Sequence, residues 1–359
     1  MKKVWICSTI MLGAGSVLAQ ETEKNPLTIS GYAEVYYQRD FNNPKSNKRP
    51  EFVYSHNRNN EVSLNVGLIK ASYENKKVRA NLGLGIGSYM NANYAAEEGV
   101  LKNIYEANVG IKLSKKHDLW LDAGVMPSHI GFESAIGADC YTLTRSMLAD
   151  NSPYFETGAK LSYSAKNGKW DMAVLVINGW QRIQRVEGNS TPAFGHQLTY
   201  RPSEKITLNS SSFIGNDKPD EAKQMRYFHN LYGQFAFNAQ FALIAGFDIG
   251  AEQKSKGGSE YNIWYSPVLI ARYSPTHKLN VAVRAEYYND RNGVIIASGT
   301  TNGFQTFGAS FNVDYQILPN VVWRTEIREL NSKDAIFLKR NGDLKKNNLM
   351  AVTSLAVRF

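Results

Sequence analysis

Val78-Arg-Ala-Asn-Leu-Gly-Leu-Gly-Ile86 puts an apolar residue at every even position and a polar residue or glycine at every odd one. Successive side chains of a strand point to opposite faces, so this stretch reads as a strand with one greasy and one permissive face. The same period recurs at Tyr105, Ala107, Val109, Ile111 and Leu113, and at Leu279, Val281, Val283, Ala285 and Tyr287. The chain finishes on it, with Leu349, Ala351, Thr353, Leu355, Val357 and Phe359 on one parity.

Working outward from these stretches gives sixteen segments: 27–40, 61–74, 77–90, 103–115, 118–127, 154–166, 169–180, 193–201, 205–215, 226–237, 240–253, 261–273, 277–290, 303–316, 320–330 and 347–359. Connections alternate. Those at 41–60, 128–153, 181–192 and 331–346 are long, whereas Asn75-Lys76, Asn167-Gly168, Asn238-Ala239 and Leu318-Pro319 mark tight turns. An even number of antiparallel strands with long and short connections in alternation predicts an all-β fold, a transmembrane up-and-down barrel with short periplasmic turns, long extracellular loops and both termini in the periplasm. The parity slips near Leu68-Ile69, where a bulge is expected.

The outward parity sets aromatic rings near the strand ends: Tyr163, Trp170, Tyr200, Phe237, Phe241, Tyr273, Tyr315, Trp323 and Phe359 toward the turns, and Tyr37, Trp180, Phe194, Tyr227, Tyr265, Tyr287 and Phe307 toward the loops. Amphipathic rings favour headgroup depth, so two girdles are expected around an aliphatic band.

Lys2 and Lys3 precede a mostly apolar run to Val17, and Val17-Leu18-Ala19 fits signal-peptidase cleavage, so 1–19 reads as a signal peptide and 20–359 as a single barrel domain. The apolar run is shorter than the roughly 20 residues that a spanning helix needs. Cys140 is then the one cysteine left, which excludes an internal disulfide. The chain carries 41 basic against 32 acidic residues, but the basic ones gather in turns such as Lys76-Lys77, so nucleic acid is not expected as a partner. The expected partners are outer-membrane lipid and lipopolysaccharide, small hydrophilic solutes, and the barrel-assembly machinery through the last strand ending in Phe359; a homo-oligomer stays open. No cofactor, metal site or catalytic residue is expected.

Sixteen closed strands leave an interior wider than wall side chains fill, which predicts a water-filled channel. The inward parity carries Glu34, Glu61, Glu106, Asp122, Glu156, Asp171, Asp248, Glu286, Asp314 and Glu326 against Arg79, Lys112, Lys160, Arg272, Arg284, Arg324, Arg328 and Arg358. Toward lipid at mid-bilayer, each Arg or Lys would cost roughly 2–4 kcal/mol. Arg324, Glu326 and Arg328 share one face, and read either as pairs with neighbouring strands or as a ladder opposing acidic groups across the pore. The connection Ser128 to Pro153 is long and has its own apolar residues, with a short helix expected within 141–149. It is expected either to fold into the barrel, presenting Glu133, Asp139, Arg145 and Asp150 at a constriction, or to lie over the mouth as a lid.

Four stretches carry a family resemblance: Ile29-Ser-Gly-Tyr-Ala-Glu-Val-Tyr-Tyr37, Ser128-His-Ile-Gly-Phe-Glu133, Thr144-Arg-Ser-Met-Leu-Ala-Asp-Asn-Ser-Pro-Tyr-Phe-Glu-Thr-Gly158 and Asn178-Gly-Trp180. Together and in order they resemble the OmpL-like β-barrel porins common in Bacteroidetes, which implies an outer-membrane diffusion channel and names no substrate. Two other functions compete. A barrel hydrolase would need a site such as His129 with Ser128 and Asp139, and a triad is defined by geometry rather than by nearness in sequence. An adhesive or structural barrel would use the basic loops 41–60 and 331–346 with a closed lumen, and conductance would separate it from a channel.

Overall fold

The structure, a computed structural model, describes residues 26–359; the expected signal peptide at 1–19 lies outside the described residues. The periodic segments form β1 (Leu27–Asp40), β2 (Val62–Glu74), β3 (Val78–Ile86), β4 (Ile104–Lys112), β5 (Asp118–Pro127), β6 (Phe155–Ser164), β7 (Trp170–Ile177) and β8 (Ala193–Ser203). They continue as β9 (Ile206–Gly215), β10 (Arg226–Ala236), β11 (Phe241–Gln253), β12 (Tyr261–Tyr273), β13 (Leu279–Asp290), β14 (Phe304–Leu318) and β15 (Val321–Ser332). A small hairpin, β16 (Phe337–Leu338) with β17 (Leu344–Lys345), sits in the last long loop before β18 (Asn347–Arg358). Each wall strand pairs antiparallel with its sequence neighbour, and β18 closes the sheet between β15 and β1, for example Glu34 opposite Ala356. Closure leaves no unpaired wall edge, which backbone groups in hydrocarbon require.

Outward positions are the apolar ones, with Ile29, Leu82, Val109, Val174, Phe311 and Leu355 all exposed. On the same parity as exposed Phe194, Leu198, Tyr227 and Leu231, His196 and His229 also face outward. Their rings are satisfied within the sheet by Ser212 Oγ, 2.5 Å from His196 Nδ1, and by Ser210 Oγ, 3.2 Å from His229 Nε2. Trp180 is a correction to the girdle. It turns inward and packs edge-on against Phe213 and Phe228, because the strand ends at Ile177 and the following loop folds over the mouth.

The bulge expected near Leu68 lies three residues earlier. Glu34 pairs with Val66 and Val35 with Leu64, which leaves Asn65 as the extra residue. It points inward, where its Nδ2 donates to Glu34 Oε2 at 2.9 Å and its Oδ1 accepts from His56 N at 3.0 Å. Strand β3 stops at Ile86 rather than running to 90. Gly87 has φ 117°, and a Cβ there would lie 2.5 Å from Asn65 O. The chain turns inward at that glycine into α1 (Ser88–Asn93).

Candidate functional site

Extended backbone inside a barrel has no strand beside it, so its N–H and C=O groups need other partners. The third long loop, 128–154, finds them on the wall. Leu143 N donates to Asn312 Oδ1 at 3.0 Å, Thr144 N to Glu326 Oε2 at 2.6 Å, and Met147 N to Glu286 Oε2 at 2.6 Å. Wall arginines serve the carbonyls. Arg324 donates to Gly137 O at 2.5 Å and Cys140 O at 2.9 Å, Arg284 to Thr144 O at 2.7 Å, and Arg328 to Arg145 O at 3.1 Å. Carboxylates of β13–β15 therefore take the loop's donors while neighbouring guanidiniums take its acceptors.

The same groups neutralise one another. Arg284 and Arg328 meet Glu286 and Glu326 at 2.6–3.2 Å, and Arg324 grips Asp314 through two nitrogens at 2.7 and 2.9 Å. The planar guanidinium fork suits this use, since it can hold a carboxylate and a carbonyl together. Of the inward Arg324, Glu326 and Arg328, none is more than 1% exposed. They are paired with neighbouring strands and with the loop rather than facing free acids across open water.

The loop's own charged residues behave in the same way. Arg145 donates to Ser134 O at 2.6 Å, Leu143 O at 2.8 Å and Ala135 O at 3.2 Å, and so fastens the loop to itself. The Glu133 carboxylate accepts from Ser146 N at 3.1 Å and from its hydroxyl. Ser146 also caps α2 (Met147–Asp150), the short helix expected within 141–149, by accepting from Ala149 N. Burial pushes the Glu133 carboxyl up and pushes Asp150 up to about 7, against the pull of Arg284 on the first and Arg328 on the second. Asp139 is the exposed one of the four and pairs with Arg358, Glu133 is partly buried, and Arg145 and Asp150 are buried.

Apolar packing completes the filling. Leu148 and Ala149 lie against inward Ile244, Val268 and Ile270. Helix α1 sets Tyr89 and Met90 on Tyr32, Val66 and Leu68. At the loop-side mouth, Phe52, Met147, Trp180, Ile296 and Phe337 from five loops meet inward Phe213, Phe228, Trp264, Tyr288 and Phe304. On the β2–β4 side the wall stays wetter than on β13 and β15. Lys70, Arg79 and Lys112 keep 27–29% exposure, against 0–1% for Arg284, Arg324 and Arg328. Wall side chains alone leave space inside the barrel, and inward-folded loops take up much of it.

The Ser128, His129 and Asp139 grouping is not assembled. His129 Nδ1 lies 2.7 Å from Glu156 and its Nε2 2.8 Å from Ser212 O, whereas Asp139 is with Arg358. Sequence reasoning missed the apolar inward ring of Phe213, Phe228, Trp264, Tyr288 and Phe304, although strand parity placed each of them inside. It also missed Lys70, which pairs with Glu106 at 2.6 Å, because the bulge shifts its parity.

A closed sixteen-stranded barrel with an apolar exterior, a charged interior and a loop bound to the inner wall defines an outer-membrane barrel of the porin type. The chain belongs to the family described as "Putative beta-barrel porin-2, OmpL-like", whose model matches residues 26–359. Among solved structures it is similar to OmpT, expressed in the outer membrane of Vibrio cholerae, at TM-score 0.59 and 7% identity over 93% of this chain and 97% of that one. The anion-selective porin of Comamonas acidovorans matches at TM-score 0.58 and 11% identity, over 93% and 99% of the two chains. The outer membrane channel DcaP of Acinetobacter baumannii matches at TM-score 0.58 and 11% identity, over 93% and 97%. At such identities the likeness is one of fold. No curated protein matches the sequence.

Proposed function

We propose that the barrel is a channel for passive diffusion of small hydrophilic solutes and ions, with its third loop as the constriction. The observation that carries the reading is the seam between that loop and β13–β15, built from Glu286, Asp314, Arg284, Arg324, Glu326 and Arg328 on the wall. A segment tied across a lumen by buried charge-assisted bonds divides a wet turn-side vestibule from the loop-side mouth. In this reading Glu133, Arg145 and Asp150 hold the constriction in shape, and Asp139 with Arg358 lines its turn-side approach. The turns and both chain ends then face the periplasm, the loops meet lipopolysaccharide, and the last strand engages the assembly machinery. Self-association is part of the proposal: OmpT, a neighbour in fold, has also been solved in a trimer form.

Planar-bilayer recording tests it. Wild-type protein should give small unitary steps, and deletion of 134–149 should enlarge them several-fold; equal steps for both proteins would remove the loop from the conduction path. One observation favours a second reading, a barrel that does not conduct and acts through its loops: the apolar residues packed together at the loop-side mouth. Silent bilayers with folded wild-type and deleted protein alike would select it.

A further inference from the structure

At the turn-side approach, loop residues Ala138–Cys140 and the ends of β12–β15 and β18 enclose a polar cavity of about 170 Å³. Its charged lining is Asp139, Arg272, Asp314, Arg324 and Arg358, three cations against two carboxylates. Both carboxylates are taken, Asp314 by the two-nitrogen grip of Arg324 and Asp139 by Arg358. Arg272 is left over. Its guanidinium stacks on Tyr141, 3.9 Å from the ring centre, and its Nε is buried with no hydrogen-bond partner. None of its nitrogens has an acidic or carbonyl acceptor among the described residues. Asn280 beside it accepts from Ser274 Oγ at 2.6 Å and leaves its amide NH₂ without a partner among the described residues.

We propose that this cavity is a binding site for a small oxoanion, a carboxylate or phosphate on a passing solute, with Arg272 as its principal ligand and Asn280 as a second donor. A half-buried guanidinium without a counter-charge is costly, and one anion restores both its hydrogen bonds and the local charge balance. Stacking on Tyr141 holds the plane of the guanidinium while leaving its edge open to a planar or tetrahedral oxoanion. The cavity is smaller than the roughly 300–1,000 Å³ of sites for drug-sized ligands, which favours an ion or short acid over a sugar chain. The proposal rests on the channel reading for its biological meaning, since a solute must pass the site, but not for its chemistry.

The test is calorimetric titration of the folded barrel in uncharged detergent with inorganic phosphate, and separately with acetate, against a chloride background. Wild type should bind at least one of them, and Arg272→Gln should weaken that binding by about tenfold or more, the value of one charge-assisted contact. Arg272→Lys keeps the charge but loses the fork, so it should weaken binding less, and Lys339→Gln in the loop 331–346 should leave it unchanged. Should Arg272→Gln fail to give the heat-shifted band of a folded barrel, the Lys variant decides alone, by its loss relative to wild type. Absence of binding by wild type, or equal affinity in the Arg272 variants, overturns the site. Binding by a protein that is silent in bilayers would keep the site and discard the channel.

Discussion

Asp150 sits among loop and wall groups with its Oδ1 unsatisfied, and its carboxyl titrates at about 7 because burial penalises the anion more than Arg328 and Arg145 favour it. Below about pH 4, near the ordinary aspartate value, both the folded and the unfolded chain hold the proton. Between there and about 7 only the folded chain keeps it, so stability falls as pH rises through that window and the loss is complete above it. At about 1.4 kcal/mol per unit the effect amounts to a few kcal/mol. Urea unfolding of the detergent-solubilised barrel should show wild type losing stability from pH 5 to pH 8, and Asp150→Asn losing clearly less; the same slope in both would refute the assignment. Glu326 is buried and accepts from both Arg284 and the Thr144 N–H. Arg284→Met would strand it, at a cost of about 3–5 kcal/mol for an orphaned buried charge. The expected result is a third loop cut faster by protease while the barrel keeps its heat-shifted band.

Among the elements, the turn-side hairpins were legible and the loop-side segments were not. A tight turn is local chemistry: Asn75 Oδ1 accepts from the N–H groups of both Lys77 and Val78 at 2.8 Å, and the sequence announces such a turn. Where a loop goes depends instead on partners far along the chain, as Leu143 N depends on Asn312. The bulge at Asn65 joins the two cases, because a slip in parity revealed that it existed and only the register located it. Its consequence can be tested through Gly87. Alanine there must adopt a left-handed φ and meets Asn65 O, so Gly87→Ala should cost about 1–3 kcal/mol. Hydrogen exchange should register the loss in α1 and in 55–66 before it appears in β10–β13; a uniform change would argue against the local account.

On the scale of the whole molecule, closure is the decisive event, and it rests on the pairing of β18 with both β1 and β15. Removing 347–359 would expose two strand edges in hydrocarbon, where each unpaired backbone group costs several kcal/mol. The truncated chain should give no heat-shifted band and no insertion into vesicles; a folded product would contradict a single closed sheet. Period-two alternation determined the outward and inward faces, the number of strands and the side bearing long connections, because these follow from local backbone geometry repeated along the chain. Alternation also set Arg284, Glu286, Arg324, Glu326 and Arg328 on the inner face, yet it could not say what they would touch. That was decided only by the closed tertiary structure, which brings loop 128–154 within hydrogen-bonding reach of strands more than a hundred residues later. Parity fixes the direction of a side chain, whereas the contents of a lumen depend on which distant backbone groups need a partner once water is excluded.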